Sequence, residues 1–292
     1  MGAMPSDDPR APLDVAELRH LLLAPVGPLA RVEVVESTGS TNTDVVAALR
    51  ADPEAWPDTG LLVAHHQTGG RGRAGRGWET PAGTSLTCSF VVRPHAPASR
   101  WGWLPLLAGL GAVTAVRATA GVPALLKWPN DVLVPADTVV EGWGAYRKVG
   151  GILTEVVPAP PGHDPAVVIG IGLNVSQTAA ELPVESASSL DLAGAQHVDR
   201  LGLVVALVTA LDQVASRWRV AGGDARASGL ADEVAAVCGT IGSRVRVEEP
   251  GGGSTTGVVQ GLDDDGGLVV VDDAGDTHHV LAGDVRHVRD AG

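Results

Sequence analysis

Five glycines and three arginines fall within residues 69–77, in the stretch GGRGRAGRGW. Glycine opens backbone geometry closed to other residues and lets amide groups approach a ligand. Successive exposed N–H groups form a concavity that binds anions. Arg71, Arg73 and Arg76 add planar, bidentate donors suited to phosphate or carboxylate. No acidic residue lies between Asp58 and Glu79, so the segment is a positive island in a chain of formal charge −13. A flexible arginine–glycine surface loop, or an RGG-type nucleic-acid contact, shares this composition. The acidic balance and the lack of interleaved aromatics weigh against the second.

Of the 21 basic residues only Lys127, in LLKWPND, and Lys148, in KVGGILTE, are lysine. Lysine offers a compact point charge where arginine offers a broad fork, so these two positions are candidates for a site that needs a narrow cation. Around Lys127, Asn130 and Asp131 follow a rigid proline turn, and an aspartate there can help hold Mg²⁺ on phosphates or simply bond its own backbone. Ser40, Thr41 and Asn42 sit where a strand gives way to a helix. They suit an N-cap and also a polar ligand group at a helix N-terminus. KVGGILTE places Gly150 and Gly151 in a strand, which implies close backbone approach. GIGLN ends another strand on Asn174, a candidate ligand-facing amide.

These residues need elements to hold them. Apolar spacing predicts helices over 13–24, 40–51, 101–120, 200–220 and 228–239. Alternating or apolar runs predict strands at RVEVVES, GLLVAHHQ, SLTCSFVVRP, ALLKWPNDVLV with a turn at Pro129, KVGGILTEVV and AVVIGIGLNVS, the last two as antiparallel neighbours. PAPPGHDP (158–165) reads as a loop tip. After Gly239 the texture changes to short strands broken by Gly and Asp turns, the pattern of a small β-barrel. The expected domains are an N-terminal extension (1–29), a large domain (30–239) and a small C-terminal one (240–292).

With 45% hydrophobic residues the chain can bury a sizeable core, and its charge argues against general binding to polyanions or anionic lipid. Cys88 and Cys238 are far apart without metal spacing and read as reduced core thiols. There is no signal-peptide pattern, and the apolar run WLPLLAGLGAVTAV is short for a membrane span. A cytoplasmic protein is expected.

Taken in order, STN, HHQTGGRGRAGRGW, LLKWPND, KVGGILTE and GIGLNV resemble the biotin–protein ligase family over residues 32–176, and the C-terminal segment resembles that family's SH3-like domain. The resemblance implies an α+β fold: a mixed β-sheet with packed helices, similar to class II aminoacyl-tRNA synthetase and biotin–lipoate ligase catalytic domains, plus a small SH3-like barrel. It implies an enzyme that joins biotin to ATP with Mg²⁺, giving biotinyl-5′-adenylate, and then modifies a lysine of the biotin carboxyl carrier domain of an acyl-CoA carboxylase. On the same basis Ser40, Thr41, Asn42, Gln67, Gly70, Arg71, Gly72, Arg73, Lys127, Gly150 and Gly151 fall on biotin. Arg73, Arg76, Trp78, Lys127, Asn130, Asp131 and Asn174 fall on ATP. Lys127 and Arg73 are the catalytic pair, and Asp131 reaches the metal through the phosphates.

Only about 30 residues precede the matching core, too few for a winged helix-turn-helix, so the monofunctional type is expected, without DNA or membrane binding, as a monomer or weak homodimer. A lipoate or octanoate ligase is the alternative enzyme. Residues 134–147 exceed the family's usual spacing and predict a longer hairpin, with Trp143 and Tyr146 packing back. Lys148 is left as either structural or loop-closing.

Overall fold

The computed structural model describes residues 10–288; the first part of the 1–29 extension lies outside the described residues. Chain order is α1 (Val15–Leu22), β1 (Arg31–Thr38), α2 (Thr41–Ala51), β2 (Gly60–Gln67), β3 (Gly70–Arg71), β4 (Gly77–Trp78), β5 (Ser85–Val92), α3 (Leu104–Ala120), β6 (Leu125–Lys127), β7 (Asp131–Val140), β8 (Gly144–Val157), β9 (Ala166–Asn174), α4 (Arg200–Val220) and α5 (Leu230–Val237). Five short strands follow: β10 (Arg244–Glu248), β11 (Ser254–Leu262), β12 (Leu268–Val271), β13 (Thr277–Val280) and β14 (Asp284–His287).

The large domain is a seven-stranded sheet in the order β1-β2-β5-β9-β8-β7-β6. β1 pairs with β2 in parallel, and every other ladder of this sheet is antiparallel. Successive side chains on a strand point to opposite faces, and this chain uses the two faces differently. Leu86, Cys88 and Phe90 of β5, with Ile169, Ile171 and Leu173 of β9, face one apolar core shared with α1, α3, α4 and α5. The other face carries α2, with Val45, Val46 and Leu49 packed on Leu62, Val91 and Val168. Toward its far end that second face turns polar and glycine-rich.

α3 is buried nearly all round, as a helix lacking a polar face must be. Helices Ala98–Ala120 and Arg200–Val220 are long and apolar enough to cross a membrane, but 67% of the first one's apolar window is buried inside the protein. Gly111 lets α4 approach closely: a Cβ there would lie 2.9 Å from Leu211 Cδ2.

The small domain is a five-stranded antiparallel sheet in the order β13-β12-β11-β10-β14. It is fused to the large one. Val245, Val259, Leu268 and Val270 belong to the same core cluster as α3 and α4. The indole of Trp103 donates to Asp264 O (2.8 Å) and that of Trp128 to Gly266 O (2.9 Å). Thr240 Oγ1 accepts from Trp128 N at 3.0 Å. This seating puts the entry to β14 beside the glycine–arginine loop.

Candidate active site

Glycines decide the floor of the site. Gly170 and Gly172 stand two apart on β9 and therefore share a face. A Cβ on Gly170 would lie 2.3 Å from Asn42 Oδ1, and one on Gly172 would lie 2.6 Å from Trp78 Cε2. Asn42, from the first turn of α2, and Trp78, from β4, thus lie directly on the strand. Above them opens a cavity of about 700 Å³, within the usual range for small-molecule sites.

One end of the cavity is a buried hydrogen-bond network. Gln67 Oε1 accepts from Thr41 N (2.8 Å) and Thr41 Oγ1 (3.1 Å). Ser89 Oγ donates within 2.8 Å of Thr41 Oγ1 and 2.6 Å of Asn42 Oδ1. Asn42 Nδ2 donates to Glu155 Oε2 (2.9 Å) and Leu153 O (3.2 Å). Ser40 caps α2, accepting from Thr43 N at 3.4 Å. Ser89 and Glu155 escaped the sequence reading. The signal was present in Ser85, Thr87 and Ser89, polar at every second position of an otherwise apolar strand.

The other end is cationic. Arg71, Gly72, Arg73 and Arg76 line it. β3 and β4 pair Gly70 with Trp78 and Arg71 with Gly77, which closes the loop on itself. Arg73 Nη1 donates to Asn130 Oδ1 at 3.1 Å and its guanidinium reaches Gly283 O at 3.4 Å. Arg76 pairs with Asp284. Burial opposes the charge on Arg73, while Asp131 favours it.

Both lysines of the chain face this cavity. Lys127 is 4% exposed. Burial pushes its ammonium down to about 8; the charges of Lys148, Arg76 and Arg286 push the same way and Asp131 opposes them. Lys148 Nζ lies 2.6 Å from Asp131 Oδ1 and 5.8 Å from the centre of the Trp78 ring. Lys148 is therefore an ion-pair partner that holds Asp131, on the wall of the cavity.

The fold places the remaining expected residues at different depths around the cavity. Gly151 lines the cavity, whereas the Cβ direction of Gly150 points at Leu173 Cδ2, 2.5 Å away, on the core side. Gly70 packs under Trp78 O and Gln67 Nε2. Asn174 borders the cavity, yet its amide is spent on the neighbouring loop: it donates to Ser188 O (2.9 Å) and accepts from Gln177 Nε2 (3.0 Å). That loop supplies Pro183, Val184, Ser186 and Ala187 to the wall, and the small domain supplies Asp284, Val285 and Arg286. No local pattern marked these, because only the packing of distant segments brings them in.

The chain matches the biotin/lipoate A/B protein ligase family over residues 34–174 and the biotin protein ligase C-terminal domain over residues 240–288. It is 40% identical, over 96% of its length and 97% of the relative's, to a biotin–[acetyl-CoA-carboxylase] ligase of Mycobacterium tuberculosis.

The chain belongs to the biotin/lipoate A/B protein ligase family.

Its second domain and that relative place it among the biotin protein ligases. A Paracoccus denitrificans biotin–[acetyl-CoA-carboxylase] ligase is 28% identical over 82% of this chain and 93% of its own. Among solved structures, a biotin protein ligase of Aquifex aeolicus in complex with biotin and ATP superposes with a TM-score of 0.70 at 25% identity, covering 89% of this chain and 100% of that one. The mixed sheet with packed helices and the small C-terminal antiparallel domain are this family's fold. Bifunctional ligase/repressors of Bacillus match over 51% of this chain and 43% of their own length. Among the described residues, a single helix, α1, precedes β1.

Proposed function

We propose that this biotin protein ligase condenses biotin with ATP to biotinyl-5′-adenylate and pyrophosphate, then acylates one lysine of the biotin carboxyl carrier domain of an acyl-CoA carboxylase. The observation that carries this reading is the convergence in a single cavity of a bonded polar end, an arginine–glycine anion loop and the chain's only two lysines.

In the first step a carboxylate oxygen of biotin attacks the α-phosphorus and pyrophosphate leaves. Two anions meet, so donors aimed at the developing charge contribute most, and holding the reactants in line supplies much of the rest. Lys127 is the compact cation between carboxylate and α-phosphate. Arg71, Gly72 and Arg73 close over the adenylate, with Arg76 and Trp78 on the nucleotide side. In the second step the carrier's lysine amine attacks the carbonyl of the mixed anhydride, and AMP leaves with the phosphate oxygen. The closed loop shields the anhydride from water in between.

The polar end supports biotin over lipoate or octanoate. Among the described residues the side-chain NH₂ of Gln67 makes no hydrogen bond, which leaves a donor for the ureido oxygen. An acyl chain would leave such buried groups unpaired, and buried unpaired polar groups discriminate strongly. For Mg²⁺ the residues fit a phosphate-borne ion. Among the described residues no group of three or more metal-ligating side chains exists, while Asp131 gives one oxygen to Lys148 and has a second free of hydrogen bonds. One carboxylate plus substrate phosphates is a common Mg²⁺ arrangement, and the ion would neutralise the leaving pyrophosphate. A cytoplasmic setting suits the reading, as do the free, buried thiols of Cys88 and Cys238.

The deciding experiment incubates the protein with ATP, Mg²⁺ and radiolabelled biotin, lipoate or octanoate. Biotinyl-adenylate is expected. A lipoyl- or octanoyl-adenylate in its place overturns the substrate assignment.

A further inference from the structure

The hairpin at 134–147 reaches the site by a route that the reaction scheme above leaves unused. β7 and β8 pair as far as Pro135↔Tyr146, slip register, and resume at Val140↔Gly144. The tip is a tight turn: Gly142 and Gly144 have φ of 76° and 64°, and Trp143 N donates to Val140 O at 3.0 Å. It is pinned to the small domain, where His287 N donates to Gly142 O at 3.1 Å and the Tyr146 and His287 rings lie 6.4 Å apart. With its backbone held on both sides, Trp143 delivers its ring to Lys127, the ring centre 3.8 Å from Nζ. Among the described residues the Lys127 ammonium makes no hydrogen bond and no ion pair. The ring is only half-buried, so it is not a core filler.

We propose that Trp143 is a positioning residue for Lys127, its π face holding one side of the ammonium so that the remaining N–H donors point at the substrates' anions. The inference rests on the adenylation reading. An ammonium has three donors on a flexible stem, and the charge of Asp131 attracts it as well. A carboxylate in the place of Trp143 would hold the lysine equally well but would repel the incoming carboxylate and phosphate. An aromatic face holds a cation without adding a negative charge. The tip lies outside the KWPND turn that carries Lys127, so lysine and ring come from separate parts of the sheet.

The test compares Trp143→Leu and Trp143→Phe with the wild type in single-turnover adenylate formation from biotin, ATP and Mg²⁺, across pH 6–10 (a range chosen to bracket the Lys127 ammonium). Leucine covers the lysine without a π face, and phenylalanine keeps one. The leucine variant is expected to form adenylate about tenfold more slowly at saturating substrate, equal to about 1.4 kcal/mol. Its alkaline limb is expected to move to lower pH, because the ring favours the charged form. Phenylalanine is expected to restore most of the rate and the limb. The charges and titratable groups facing Lys127 are Asp131, Lys148, Arg76, Arg286 and His287; none is altered. Leucine and phenylalanine variants that lose rate equally, or a leucine variant that matches the wild type, overturn the proposal. Should the leucine protein melt early, Trp143→Met takes its place with the same two readouts. A wild type that makes no biotinyl-adenylate overturns the underlying reading instead, so the two failures are distinguishable.

Discussion

Gly170→Ala is expected to damage the closed end of the site while leaving the sheet intact. The new Cβ would stand 2.3 Å from Asn42 Oδ1, about 1 Å inside an ordinary carbon–oxygen contact. Asn42 is 3% exposed and sits in the first turn of α2, with Ser89 and Glu155 on its sides, so its amide must rotate out of plane. Three hydrogen bonds then go: Ser89 Oγ to Oδ1, and Nδ2 to Glu155 and Leu153 O. At about 1 kcal/mol each the loss is about 2–3 kcal/mol, or about 3–5 °C in Tm for a chain of this size. Biotin binding, measured by calorimetry, is expected to weaken at least about fivefold, since one lost hydrogen-bond partner at about 1 kcal/mol corresponds to that factor. Gly261→Ala is the control: it is another strand glycine, with nothing within 4 Å of its Cβ position, and is expected to change stability by less than about 0.5 kcal/mol. Asn42→Ala removes the obstructing oxygen, so the double variant is expected to lose less than the sum of the singles. Wild-type affinity at an unchanged Tm in Gly170→Ala would refute the argument that the glycine exists to admit Asn42.

The alkaline limb of kcat/KM for adenylation is expected near pH 8, where Lys127 loses its proton, and to vanish in Lys127→Met; a flat profile to pH 10 counts against a charged Lys127. Because this ammonium is depressed from 10.5 to about 8 in the fold, the unfolded chain holds the extra proton between those values, and Lys127 contributes stability that rises with pH across that window. Lys127→Arg is expected to lower adenylation about 100-fold in a protein that still folds, because a fork does not fit between the Trp143 ring, 3.8 Å away, and a channel that leaves 4% of the lysine exposed; near-normal activity rules out the compact-charge argument. Hydrogen exchange across 69–77 is expected to slow when biotin and ATP are added, since an anion between Arg71, Arg73 and Arg76 relieves their repulsion; equal protection in both states would mean a preformed loop. Deleting residues 241–292 is expected to abolish activity and expose Trp103 and Trp128, whose indoles donate into the small domain; a soluble, fully active truncation contradicts a shared core.

How much was legible follows from where each signal is stored. The glycine–arginine loop, the capped start of α2 and the KWPND turn are local: glycine freedom, capping hydroxyls and a proline are properties of the residues themselves, so the sequence alone determined them. The same holds for the two-domain plan, since a change from long apolar periods to short Gly/Asp-bounded strands is a change of local pattern. The oddity of two lysines among 21 basic residues was also visible, but not that both face the same cavity. The cavity's other parts come from pairings across long separations. Ser89 reaches Asn42 only because β5 lies beside β9 beneath α2. Gly170 and Gly172 make room for side chains more than 90 residues away in the chain. Arg76 meets Asp284 only where the small domain is docked on Trp103 and Trp128, and Trp143 meets Lys127 only where the β7–β8 hairpin folds back over the end of β6. Hydrophobic burial has no direction of its own, so sequence states which residues must go inside, while only the packed tertiary structure decides which polar groups then face one another.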